Sequence, residues 1–149
     1  MAVTNNDMDK KPNKKWERPT FPKDVNIIAI YEQLKDEAPH WHIYLFNKTE
    51  RELSTVLVTA GGYGELNGED VKTTKLRYSL GDIGGYTAKR VEPITLEVMG
   101  LYNEYWVSFA LDGELYDRKF TFPPSSITSQ KSERIDTLEV EAVFAKWTR

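Results

Sequence analysis

The chain has 149 residues, a formal net charge of −3, no cysteine and only two histidines. That length suits a single domain, and the missing thiols exclude disulfides, zinc–thiolate centres and cysteine nucleophiles. Four Trp, eight Tyr and six Phe are too many for a disordered chain, because such side chains are kept to be buried or to bind.

Residues 1–7 hold no apolar run that could act as a secretory signal, and no stretch approaches the ~18 apolar residues of a membrane span. A cytoplasmic location is expected. Residues 1–23 carry Lys10, Lys11, Lys14, Lys15, Arg18 and Lys23 against Asp7, Asp9 and Glu17. This excess of three positive charges leaves an excess of six negative ones on the rest of the chain. Pro12, Pro19 and Pro22 interrupt the same stretch, which has no apolar periodicity. Composition therefore predicts a flexible basic tail over 1–23, with Trp16 and Phe21 as its only anchors, ahead of a single β domain over 24–149. An acidic domain is a poor platform for a polyanion, so any nucleic-acid contact is expected through the tail.

From residue 25 onward, short runs of β-branched and aromatic residues alternate with turn residues. Strands are expected over 25–31, 40–46 and 53–59, the first two joined by the polar stretch 32–39. Gly61, Gly62, Gly64 and Gly68 predict a long mobile loop, followed by a strand over 73–79. A longer strand is expected over 87–99, with Ile94, Leu96 and Val98 alternating on one face. Pro93 within it requires an edge position or a bulge.

Asp112-Gly113 gives the strongest local signal, a two-residue type I′ hairpin. Pairing outward from it sets Phe109 opposite Tyr116, Tyr105 opposite Phe120, and Val107 opposite Arg118, whose guanidinium must reach the rim. Trp106 then lies opposite Lys119 on the other face, within range of a cation–π contact. Pro123-Pro124 ends this element, and a Ser- and Lys-rich loop runs on to 133. In the last segment Leu138, Val140, Ala142 and Phe144 alternate with Glu139 and Glu141. Glu and Ala allow a helix over 137–146, but the strict period of two favours a strand. About eight strands without a long helix predict an antiparallel two-sheet sandwich, immunoglobulin-like, or a small barrel.

His40 and His42, two apart on a strand, share one face and have acceptable geometry for two metal ligands, with Glu32 or Glu37 as a third. The simpler alternative is that they pack beside Trp41 or face water, and no metal or other cofactor is assigned. Gly61-Gly-Tyr-Gly64 lacks the Lys-Ser/Thr of a phosphate loop and has no following helix, so it reads as a connection or a loop closing over a partner. The serines at 125, 126, 129 and 132 lack a nucleophile elbow, and no tuned carboxylate pair is visible. No catalytic constellation is found, and the chain is not expected to be an enzyme.

Three stretches carry a resemblance. Residues 41–47 (WHIYLFN), Val56-Leu-Val58 with the glycines after it, and 101–109 (LYNEYWVSF) with 112–122 (DGELYDRKFTF) are similar to a group of short bacterial all-β proteins. The resemblance covers most of 25–127 and implies no activity and no site residues. Some of that group are labelled phenylalanyl-tRNA synthetase α chain, a function whose class II core needs helices and motif arginines that this sequence lacks. The expected function is a small non-enzymatic interaction module that binds a protein partner. Its expected binding residues are Trp106 and Lys119 on the domain, with Lys10, Lys11, Lys14, Lys15 and Trp16 on the tail. The alternative is RNA or DNA binding through that basic tail, where lysines meet phosphates and the indole stacks on a base. Carbohydrate binding would require a flat exposed row of Trp and Tyr. An exposed edge strand leaves self-association open.

Overall fold

Along Tyr102–Leu111 every second side chain is buried, which puts Tyr105, Val107 and Phe109 inside and Trp106 outside. That period of two is what a pleated strand imposes, and it recurs through most of the chain. The computed structural model describes residues 20–148. In chain order the strands are β1 (Val25–Glu32), β2 (His40–Asn47), β3 (Leu53–Leu66), β4 (Glu69–Lys72), β5 (Leu76–Ile83) and β6 (Thr87–Ile94). They continue as β7 (Tyr102–Leu111), β8 (Glu114–Phe122), β9 (Glu133–Ile135), β10 (Val140–Phe144) and β11 (Lys146–Thr148).

These strands form a sandwich of two antiparallel sheets. The five-stranded sheet has the order β6-β2-β1-β10-β9, and the six-stranded sheet β11-β8-β7-β3-β4, with β5 also paired to β3. Ile27, Ile43 and Leu45 of the first sheet meet Val56, Val58, Tyr105, Phe109 and Phe120 of the second in one core. Each such side chain contributes roughly 1.5–3 kcal/mol by leaving water. A smaller cluster of Ile28, Ile30, Phe46, Ile135 and Ala142 covers the other face of the five-stranded sheet. Phe21 belongs to the main core, edge-on to Phe109 at 5.3 Å and to Phe120 at 5.8 Å.

The expected β7–β8 register is found in full, including Trp106 opposite Lys119. Asp112 and Gly113 take the positive φ values, 52° and 78°, that the tight turn needs. Arg118 sits on the inner face, as its register demands, and reaches the rim by laying its guanidinium over the Phe21 and Trp147 rings.

The glycine-rich stretch is not a loop. β3 runs through it to Leu66, and Asn67-Gly68, with φ of 53° and 81°, turns the chain back as β4. The glycines allow close approach, since a Cβ on Gly62 would come within 3.3 Å of Asn103 Oδ1. The strand expected over 73–79 lies a little later, at Leu76–Ile83.

The long strand expected over 87–99 stops at Ile94, where the chain leaves one sheet for the other through a short 3₁₀ turn, and Leu96 projects into solvent. β6 is an edge strand, the position that tolerates Pro93. The C-terminal segment is strand, not helix, with Ala142 and Val143 buried on opposite faces. It changes sheets at the buried Ala145 to continue as β11, and β4, β9 and β11, added to the eight expected strands, raise the count to eleven. No helix among the described residues is long and apolar enough to cross a membrane.

Candidate functional site

The outer face of the six-stranded sheet is built in cross-strand rows, because residues directly opposite each other on neighbouring strands point the same way. One row is Thr59, Trp106 and Lys119, the next is Gly61, Glu104 and Thr121, and a third is Lys72, Tyr63 and Tyr102. Gly61 has no side chain to fill its place, so a cleft of about 680 Å³ opens between Trp106, Glu104 and the β4 hairpin. Thr73 closes its far side by accepting a 2.8 Å hydrogen bond from the Gly62 amide. The aliphatic stem of Lys75 crosses above Gly61, where a Cβ would lie 3.2 Å from Lys75 Cγ.

Trp106 is 46% exposed at the floor of this cleft. It is therefore not covered by the second sheet. The expected cation–π contact with Lys119 is not the one formed. Lys119 Nζ lies 3.3 Å from Glu104 Oε2, since a carboxylate attracts an ammonium more strongly than an indole face does. Lys72 and Lys75, on the opposite wall, are exposed and make no ion pair among the described residues. They outweigh Asp70, so the free charge of the cleft is positive. Local desolvation, and then the Glu104 carboxylate, raise the pKa of the Tyr63 hydroxyl above its usual value. Tyr63 and Tyr102 stack on each other with centroids 5.1 Å apart, a pair and not the flat row that sugar binding would ask for.

Sequence reasoning found Trp106 and Lys119 but not Lys72, Lys75, Tyr63 and Glu104. The missed signal was Asn67-Gly68, the dipeptide that folds β4 alongside β3. The tail residues Lys10, Lys11, Lys14, Lys15 and Trp16 lie outside the described residues.

A second constellation sits on the outer face of the other sheet. β1 and β2 pair with Glu32 opposite His40 and Ile30 opposite His42, so both imidazoles and Glu32 share one face. Their rings lie 4.3 Å apart. His42 has no exposed surface, yet neither ring nitrogen makes a hydrogen bond among the described residues. Leaving such a group unsatisfied costs about 1–3 kcal/mol. Its nearest partners are Glu32 Oε2, 3.2 Å from Nδ1, and Glu37 Oε1, 4.0 Å from Nε2. Burial lowers the His42 pKa below 6.5, and the Glu32 carboxylate opposes that shift. Of the two carboxylates named from sequence, Glu37 groups with both histidines. Glu32 stands behind His42 and accepts a short hydrogen bond from the Tyr44 hydroxyl.

Compared with known proteins, the chain matches no family model, no curated protein and no solved structure, so none of these bears on the bacterial group that its core strands resemble.

Proposed function

We propose that this protein is a non-enzymatic interaction module whose partner is a protein, held in the cleft on the outer face of the six-stranded sheet. The half-exposed Trp106 at the cleft floor carries the reading. A large aromatic side chain left open to water in a concave site is the usual anchor of a protein interface, where its burial dominates affinity. The free ammonium groups of Lys72 and Lys75 on the facing wall favour a partner segment with carboxylates. The preferred ligand is thus an extended acidic segment that places one apolar side chain against the indole.

Affinity capture with the full chain tests this, comparing wild type with Trp106→Ala, with Lys72→Glu/Lys75→Glu, and with Lys10, Lys11, Lys14 and Lys15 changed to Gln. The expected result is a partner that resists nuclease, survives the tail changes and is lost with either cleft variant. Capture that disappears with nuclease and with the tail lysines, but ignores Trp106, overturns the reading in favour of RNA or DNA binding through the tail.

A further inference from the structure

We propose that Glu37, His40 and His42 bind one divalent cation of the zinc class, with Glu32 as the positioning residue that sets the ligating tautomer of His42. The site is independent of the Trp106 cleft and lies on the other sheet.

The donor set comes first. Two imidazoles and a carboxylate suit Zn²⁺ and its first-row neighbours, whereas Ca²⁺ and Mg²⁺ take oxygen ligands. Each imidazole must present a bare nitrogen, and the surroundings arrange this. His40 Nδ1 lies 3.0 Å from the Ala38 carbonyl oxygen. A carbonyl only accepts, so Nδ1 carries the proton and Nε2 the lone pair. Glu32 Oε2 lies 3.2 Å from His42 Nδ1 without the alignment of a hydrogen bond, and a small rotation of the ring or carboxylate lets it accept the Nδ1 proton and leave Nε2 bare; Tyr44 anchors that carboxylate oxygen.

Both Nε2 atoms then face one oxygen, Glu37 Oε1, at 3.9 Å from His40 and 4.0 Å from His42. The three ligand atoms fall within 4.8 Å of one another. Tetrahedral ligands about 2.1 Å from a metal stand roughly 3.4 Å apart, so closure needs movements of about 0.5–1.4 Å. Glu37 and His40 have partly exposed side chains that can rotate by that amount, while His42 is fixed in the sheet. His40 and Arg90 also act on His42, against the two carboxylates Glu32 and Glu37. The fully buried His42, whose nitrogens find no hydrogen bond within the described residues, singles this face out. A cation gives that nitrogen its partner, and three protein ligands leave one position open to water.

Because the chain has no cysteine and only these two histidines, histidine-dependent metal uptake reports on this site alone. The full chain is titrated calorimetrically with Zn²⁺, and separately with Co²⁺, whose visible bands report four-coordination. Saturation at one equivalent is expected, with the imidazole resonances of both histidines perturbed by Co²⁺ and no response to Mg²⁺. His40→Ala and Glu37→Gln, both at partly exposed positions, are expected to weaken binding about tenfold or more. Glu32→Gln keeps the stoichiometry but weakens binding by about 10–100-fold and alters the Co²⁺ bands, as loss of an orienting partner does. Absence of saturable Zn²⁺ uptake overturns the proposal, as does unchanged affinity in both His40→Ala and Glu37→Gln.

Discussion

Asn47 shows how one buried polar side chain can hold two turns at once. Its Nδ2 donates to the carbonyls of Arg51, Ile83 and Gly84 at 2.7, 3.2 and 3.0 Å, and its Oδ1 accepts from the Thr49 amide and hydroxyl. The β2–β3 turn is thereby tied to the β5–β6 turn. Asn47→Ala strands several buried groups and is expected to cost about 2–3 kcal/mol in urea unfolding. Gly85 lies at the same junction, where a Cβ would meet the Glu50 carbonyl carbon and oxygen at 2.6 Å. Backbone cannot yield as a flexible side chain does, so Gly85→Ala is expected to lower stability by about 1–3 kcal/mol, read from the same unfolding curves. Nothing local in the sequence singles out Asn47 or Gly85, because the partners that tie the two turns together are about 35 residues away.

At the scale of elements, the β3–β4 hairpin depends on its turn. Asn67 sits at φ 53°, a conformation that costs an ordinary side chain about 1–2 kcal/mol. Asn67→Val is expected to loosen β4, raising hydrogen exchange across Glu69–Lys72 and weakening partner capture without unfolding the sandwich. Glu92 on β6 joins the two sheets by accepting hydrogen bonds from Tyr78 at 2.6 Å and Tyr105 at 2.7 Å. Burial first, and then the Glu92 carboxylate, raise the pKa of both hydroxyls above the usual 10.0. The folded state therefore keeps protons that the unfolded chain releases. Their contribution is complete below about pH 10 and falls as the pH rises further. Urea midpoints measured from pH 9 upward are expected to drop less steeply for Tyr78→Phe than for wild type. The elements most legible in sequence were those whose pairing is local. The β7–β8 hairpin was read residue by residue from Asp112-Gly113, while β3 was cut short because its glycines looked like punctuation. In place they admit Asn103 of the neighbouring strand and Leu101 just ahead of it, a contact no local pattern records. Likewise the i, i+2 histidines were visible, but the burial of His42 depends on long-range packing.

At the scale of the whole molecule, Phe21 and Trp147, near the two limits of the described residues, meet around Arg118. Phe21 fills the core between Phe109 and Phe120, and Arg118 stands 4.6 Å above its ring and 3.5 Å above that of Trp147. Phe21→Ala removes a buried aromatic and is expected to cost about 3–5 kcal/mol, measured as a lowered urea midpoint with an unchanged slope. This fits a sandwich whose sheets are sewn together late in the chain: β10 completes one sheet beside β1, and after Ala145 β11 adds to the other beside β8.

That crossover also sets how the fold bears load. Among the described residues β11 meets β8 at three positions, Lys146, Trp147 and Thr148, on the outer edge of its sheet. Tension applied through the C-terminus reaches this short seam first and peels it one rung at a time. Once β11 is free, the Arg118 stack loses its upper ring and the pull passes through Ala145 to β10, which sits between β1 and β9 within its sheet. The domain thus has a weak latch in front of a strong one, and in a force trace the small early step is expected to vanish when the chain is held instead from the Asp112-Gly113 turn.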